Sequence, residues 1–295
     1  MMNSQSPPVI FGEVLFDCFP DGSRILGGAP FNVAWHSQAF GLAPLFISRV
    51  GDDELGQEIL LAMREWGMET QGIQIDAQHK TGIVDVTFND GEPSYTIVNN
   101  SAWDFIDDKD IPEIKECSLL YHGSLTLRNS VSENSLTCLK QSYADSIFVD
   151  INLRPPWWDL QKIKKILKTT HWLKLNQDEL ALLVPGEKDV EKQARYLIEH
   201  YKPELVVVTL GEAGAIAVTA TEMFSVEPDS ATNIIDTVGA GDAFSSVLVL
   251  GLHKGWPLQK LLNRAQIFAS HVVGLRGATT QDRKFYQPFI RDWSL

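Results

Sequence analysis

The sequence is short of cysteine, of positive charge and of long apolar runs, and each shortage closes off a class of function. Its three cysteines, Cys18, Cys117 and Cys138, are scattered without a pairing motif, which fits a reducing compartment and excludes a disulfide-stapled module. Lys and Arg number 25 against 38 Asp and Glu, for a formal net charge of −13. A surface that acidic repels phosphate backbones and anionic lipid, so neither nucleic acid nor membrane is an expected partner. The same field works against an anionic substrate, which would need a locally electropositive site. The longest apolar runs, such as residues 243–252, fall far short of a bilayer span. Residues 1–14 show neither a basic n-region nor a long apolar stretch, so no signal peptide is expected and the chain reads as cytoplasmic. The 7 histidines lack metal-ligand spacing. In so acidic a chain Trp157, Trp158 and Trp172 read as packing residues rather than base-stacking platforms.

What is present is an ordinary globular composition, 295 residues with 44% hydrophobic and 21% charged, the size of one large enzyme domain or two ordinary ones. Apolar, β-branched runs begin at Val9, Leu45, Ser118, Ser146, His171 and Glu204. They are continuous rather than alternating, as in parallel strands buried on both faces. Between them, Leu55, Ile59, Ala62, Met63 and Trp66 form a helical stripe ended by Gly67, and Leu258, Leu261, Leu262, Ala265, Phe268, Ala269, Val272 and Val273 form another. Strands alternating with helices predict a layered α/β domain with ligands at the carboxyl ends of the strands. Residues 81–98 break that rhythm. Val84, Val86 and Phe88 alternate with Ile83, Asp85 and Thr87, and Asn89-Asp90-Gly91 is a turn signal, which predicts an antiparallel hairpin with one covered face. No repeat, low-complexity tract or linker divides the chain.

Two glycine-rich segments carry the chemistry. In Asp236-Thr237-Val238-Gly239-Ala240-Gly241-Asp242 the glycines lead straight into an apolar helical run. Glycines in that place let backbone N–H groups converge on an anion, and the helix dipole adds partial positive charge. An acidic residue also stabilises a helix end on its own account, the plainer role for Asp242. Gly27-Gly28-Ala29-Pro30-Phe31-Asn32 again runs from glycines into a helical pattern, with Asn32 either a capping residue or a polar group facing a site.

Taken with Arg49-Val50-Gly51-Asp52-Asp53-Glu54-Leu55-Gly56, these segments resemble the two signature regions of the ribokinase-like (PfkB-type) sugar kinase family, and the resemblance runs from Gly12-Glu13-Val14-Leu15-Phe16-Asp17 to Gly277-Ala278. It implies a three-layer α/β/α domain spanning residues 1–295, with a small β-sheet lid from about 11–26 and 81–105. It also implies transfer of the γ-phosphoryl group of ATP to a primary hydroxyl of a small sugar, a reaction in which the protein mainly positions reactants and neutralises charge. Asp242 then matches the catalytic base, and the backbone of Gly239, Ala240 and Gly241 the anion hole. Asp17, Gly28 and Asn32 match the sugar pocket, where a carboxylate and an amide suit buried hydroxyls; the alternative for Asp17 is a turn residue before Phe19-Pro20-Asp21-Gly22.

Asp150-Ile151-Asn152-Leu153-Arg154 resembles the DxNxR segment of fructokinase-like and ketodeoxygluconate kinase-like branches. Asp150, Asn152 and Arg154 are thus candidates for acceptor or phosphoryl contacts, the alternative for Arg154 being a surface salt bridge. On the nucleotide side Asn176 matches a phosphate contact and Glu179 a carboxylate that holds Mg²⁺ through water. Thr209, Gly211 and Gly214 match the turn against the nucleotide. Gln266, or Asn263 one turn earlier, stands where some relatives carry an adenine-side Asn. Asp236 and the carbonyl of Val238 match the ligands of a K⁺ ion. Phe31, Ile97, Trp103 and Phe105 are either sugar-covering residues or core. Lid sheets pair between subunits in many relatives, so a homodimer through the lid is a further expectation.

The resemblance favours D-fructose as acceptor, giving fructose 6-phosphate. The lid segment Ser94-Tyr95-Thr96-Ile97 lacks the arginine expected for an acid sugar, which leaves 2-keto-3-deoxygluconate, ribose and nucleosides as alternatives. A silent sugar-binding regulator would be expected to lose the base or the glycines, and both are intact. A nucleotide-binding oxidoreductase needs a glycine fingerprint that Gly27-Gly28 does not fit.

Overall fold

The computed structural model describes residues 6–89, 92–143, 146–228 and 235–295. The first apolar run divides: β1 (Val9–Phe11) ends before Gly12, and the chain re-emerges as β2 (Leu15–Cys18) in a different sheet. There follow β3 (Arg24–Gly27), α1 (Ala29–Ala39), β4 (Leu45–Gly51), α2 (Glu54–Trp66), β5 (Ile73–Asp76), β6 (Gly82–Asn89) and β7 (Glu92–Ile97). The middle of the chain holds β8 (Leu120–His122), α3 (Ser130–Tyr143), β9 (Ile147–Asp150), α4 (Leu160–Leu167), β10 (Trp172–Asn176) and α5 (Gln177–Leu183). It closes with α6 (Val190–Tyr201), β11 (Leu205–Thr209), β12 (Ala215–Val218), β13 (Met223–Val226), α7 (Ala240–His253), α8 (Leu258–Val272) and α9 (Arg283–Trp293).

The main sheet has the order β13-β12-β11-β10-β9-β8-β1-β4-β5. It is parallel from β5 through β11, with β12 and β13 added antiparallel at one edge. Successive strand residues alternate between two cores: Ile10 and Phe46 pack under α1, α2, α7, α8 and α9, while Val9, Phe11 and Ile47 pack under α3, α4, α5 and α6. Burial on both faces explains the continuous apolar runs. The helical stripe of α2 ends as expected, with Gly67 left-handed at φ 81° and its N–H closing onto the carbonyls of Met63 and Arg64.

Beyond β1 the chain winds to the β4 side, then later to the β8 side. The carboxyl ends of β1 and β8 therefore flank the switch point at which open α/β sheets bind ligands. A second sheet, β3-β2-β6-β7, stands beside this opening. The expected hairpin is present as β6 and β7, with Val84 and Val86 buried and Asp85 and Thr87 exposed; Asp90 and Gly91 of its turn signal lie outside the described residues. The lid strands are narrower than the expected bounds. Phe11 belongs to the main sheet, and Ala102–Phe105 is a short 3₁₀ turn packed on β4.

The segment 49–56 anchors the chain that runs through the small sheet. Asp53 caps α2 by accepting the N–H of Gly56 at 2.9 Å, and its carboxylate also accepts the N–H of Thr81 at 2.9 Å and its hydroxyl at 2.6 Å. Arg49 donates to the carbonyl of Phe105 at 3.0 Å. The residues on either side of β6 and β7, Thr81 and Phe105, are thus both held by one short stretch.

Candidate active site

The amino end of α7 lies over the switch point. Gly239 caps it in the left-handed region at φ 80°, and a Cβ there would run into Ala278, so only glycine lets the chain enter the helix at this place. Asp242 sits in the first turn. It has a larger part than tuning the helix end: its Oδ2 accepts a hydrogen bond from Nδ2 of Asn32 at 2.8 Å. Asn32 is therefore not the cap of α1. Gly28 holds that position at φ 110°, where a Cβ would approach the carbonyl oxygen of Glu13 to 2.6 Å. Burial pushes the Asp242 carboxyl up to about 7, with Asp150 adding to the rise and Asn32, Lys174 and Arg154 pulling against it. A carboxylate poised near neutrality at a helix amino end suits a general base.

In the small sheet, Asp17 lies on β2 beside Gly27, where a Cβ would lie 3.7 Å from its Oδ2. Among the described residues its carboxylate accepts no hydrogen bond, and burial raises it to about 6. It is a strand residue paired with Ile25 rather than a turn residue. Asn152 takes the left-handed conformation at φ 45°, which asparagine tolerates better than most side chains. Arg154 is exposed and donates to the carbonyl of Leu153 at 3.1 Å. No carboxylate pairs with it among the described residues, so the surface salt bridge is not formed, while its charge reaches both Asp242 and Glu13.

Asn176 and Thr209 end adjacent strands in register. Asn176 and Glu179 form a capping box on α5: each side chain accepts the other's backbone N–H at 2.9 Å. The other Glu179 oxygen accepts the N–H of Leu153 at 2.7 Å, tying the DxNxR loop to α5. Gly211 and Gly214 are left-handed at φ 59° and 88°. Gln266 is buried on α8 and donates to Ser270 at 3.2 Å, whereas Asn263 is exposed and accepts from Gln259. Asp236 accepts the N–H of Val238 at 2.9 Å and that of Gly277 at 3.1 Å, joining the α7 entry to the segment after α8. No group of three or more His, Cys, Asp or Glu side chains among the described residues could hold a metal ion.

Two of the expected covering aromatics are core. Phe31 is fully buried against Trp35 and Phe46, and Trp103 is buried beneath Arg128. Phe105 stacks on His79 at 3.7 Å, and Ile97 is half-buried on β7. Sequence reasoning missed Arg128. It lies between Trp103 and Trp157, 4.2 and 4.6 Å from their ring centres, and binds Asp104 through two bonds of 2.6 and 2.7 Å. It also missed Lys174, Tyr121 and Ser245, which converge on Oδ2 of Asp150 at 2.8, 3.4 and 2.7 Å. The signal was present for Lys174, since one lysine inside an apolar buried strand requires a partner. Glu13 and Thr126 meet at 2.5 Å across the switch point itself.

An α/β sheet with a glycine-capped helix aimed at its carboxyl ends, a poised carboxylate there and a small sheet alongside defines a phosphoryl-transfer enzyme of the sugar-kinase type. The model of the pfkB family of carbohydrate kinases matches residues 19–284, and the chain belongs to that family. It is a sugar kinase. It is 27% identical over 300 residues to a fructokinase of Salmonella typhimurium, covering 96% of each chain, and 29% identical over 271 residues to probable fructokinase-5 of Arabidopsis thaliana, covering 83% of this chain and 82% of that one. The crystal structure of fructokinase from Vibrio cholerae O395 in its fructose, ADP and calcium ion bound form matches with a TM-score of 0.82 at 26% identity, covering 97% of this chain and 99% of that one.

Proposed function

We propose that this kinase phosphorylates D-fructose on its primary hydroxyl, giving fructose 6-phosphate. The observation that carries the reading is Asp242: a carboxylate raised to about 7, bonded to Asn32 at 2.8 Å, at the amino end of a glycine-capped helix. Its free lone pairs accept the proton of the attacking hydroxyl as the phosphoryl group transfers. The N–H groups of Gly239, Ala240 and Gly241 supply positive potential for the moving phosphoryl group in an otherwise acidic protein. Asp17, with no protein partner among the described residues, accepts hydrogen bonds from sugar hydroxyls and fixes which hydroxyl faces the base, with Gly28 and Asn32 forming the pocket wall. Asn152 and Arg154 approach from the loop after β9.

Asn176, Thr209, Gly211 and Gly214 form the nucleotide side, and Gln266 supports it from within α8. Mg²⁺ would be met by Glu179 through water, supplying charge neutralisation to the ATP phosphates when bound. Asp236 and the Val238 carbonyl would hold K⁺; replacing K⁺ by a large organic cation then lowers activity, and an unchanged rate removes the ion from the account. Exposed Tyr95 on β7 marks the lid face through which a homodimer would form, checked by light scattering. The names of the fructokinases it resembles favour fructose, while the unpaired Arg154 favours an acid sugar such as 2-keto-3-deoxygluconate. ADP release measured with both sugars decides between them: faster turnover of the acid sugar would retire fructose and keep the mechanism.

A further inference from the structure

Beneath the first turn of α7 lies a buried charge cluster that the phosphoryl-transfer scheme does not use. Lys174, on the inward face of β10, is 8% exposed in its side chain. Its ammonium donates to Asp150 Oδ2 at 2.8 Å and to the carbonyl of Gly241 at 3.3 Å. Asp150 is held from two further sides, by Ser245 of α7 at 2.7 Å and by Tyr121 of β8 at 3.4 Å. Gly241 has a reason to be glycine here that differs from baring its backbone to an anion. A Cβ on it would lie 3.2 Å from the Lys174 ammonium, a tight contact that would push the lysine back by a few tenths of an ångström, so glycine leaves the ammonium its room.

We propose that Lys174 is a positioning residue for phosphoryl transfer, gripping the Gly241 carbonyl so that the peptide joining Gly241 to the base keeps its orientation. The C=O and N–H of a trans peptide point in opposite directions. Holding the carbonyl inward aims the N–H of Asp242 outward, toward the helix's amino end where the transferring phosphoryl group gathers charge. The clamp is anchored rather than free, because Asp150 is itself fixed by strand and helix together. Lys174 is also a buried cation whose charge favours the ionised form of the base. Among the described residues the groups facing Asp242 are Asn32 from α1, Tyr121 from β8, Asp150 from β9, Arg154 from the following loop and Lys174 from β10, and of these Lys174 and Arg154 are the cations that favour its ionised form. The proposal rests on the reading of Asp242 as base.

The test is Lys174→Met, which keeps the stem and removes the ammonium, beside the double variant Lys174→Met with Asp150→Asn, which leaves no uncompensated buried charge. Steady-state ADP release is measured from pH 5.5 to 10 with MgATP and a turned-over sugar. Both variants are expected to lose about a hundredfold in kcat with KM values for ATP and sugar within about threefold, and the acid limb of kcat/KM is expected to move up in Lys174→Met but to stay near its parent position in the double variant, where loss of the Asp150 charge offsets loss of the ammonium. A kcat within threefold of the parent in whichever variant folds, or a fall in kcat of Lys174→Met with its limb unmoved, overturns the proposal. Asp242→Asn serves as control: if that variant stays near normal, the base assignment fails, independently of what Lys174 does.

Discussion

Replacing Asn32 by alanine removes the one side-chain hydrogen bond that the base accepts among the described residues. In the parent the Asn32 amide donates to Asp242 at 2.8 Å, and the carboxyl sits at about 7 because burial outweighs this bond and two cations. A hydrogen bond to a charged group contributes roughly 1.5–3 kcal/mol, and one pKa unit corresponds to about 1.36 kcal/mol. Losing the bond therefore moves Asp242 up by about one to two units, to roughly 8–9. At pH 7 about half of the parent is ionised, against roughly one molecule in ten to one in a hundred of Asn32→Ala, so kcat/KM falls about fivefold to fiftyfold there. The deficit shrinks as pH rises past the new value. The assay is coupled ADP release at subsaturating sugar across pH 5.5–10, since kcat/KM reports the free enzyme. A uniform fall at every pH, with the acid limb still near 7, would show that Asn32 acts on substrate alone and would refute the electrostatic argument.

Asp242→Asn tests the same carboxyl through stability. The folded value of about 7 lies above the unfolded value of 3.8, so the native state holds this proton more tightly and stability falls as pH rises between the two. The variant is expected to melt higher than the parent at pH 8, with a gap that narrows as pH approaches 4; a gap independent of pH contradicts the raised value. Asp17→Asn should raise KM for the sugar at least tenfold with ATP affinity unchanged. In the parent, sugar affinity should weaken below about pH 6, where Asp17 takes up its proton, and equal loss for both substrates would remove it from the sugar pocket. Arg128→Met should lower stability by about 3 kcal/mol in chemical denaturation, because it strands the buried Asp104 carboxylate; a loss under about 1 kcal/mol would show that water replaces the pair.

Much of this was legible in the sequence because local chemistry and fold agree. Continuous apolar runs gave the central strands, Gly67 marked a helix end, and Gly239 and Gly241 before Asp242 announced a backbone laid bare at a helix start. What was illegible depends on contacts between distant segments. Asn32 looks like a cap until α1 and α7 are brought together, and Asp242 looks like a helix-end charge for the same reason. Phe31 and Trp103 looked like candidate sugar covers because composition cannot tell a pocket aromatic from one buried against Phe46 or Arg128. Glu179 matches a metal-side carboxylate by its spacing, and its further part in tying Leu153 and Asn176 through backbone N–H groups is one that no spacing encodes. Lys174 carried a signal in its apolar surroundings, but its partner Asp150 stands on the next strand, so the pair appears only with the sheet order.

The measurement that tests the central claim most directly is ADP release from purified protein with MgATP and K⁺. Fructose, ribose, 2-keto-3-deoxygluconate, tagatose, glucose and adenosine would serve as acceptors, each run beside Asp242→Asn. The account predicts turnover on fructose well above the others and loss of most of it in the variant. A near-normal rate in Asp242→Asn, or silence on every sugar with ATP still bound, would contradict it.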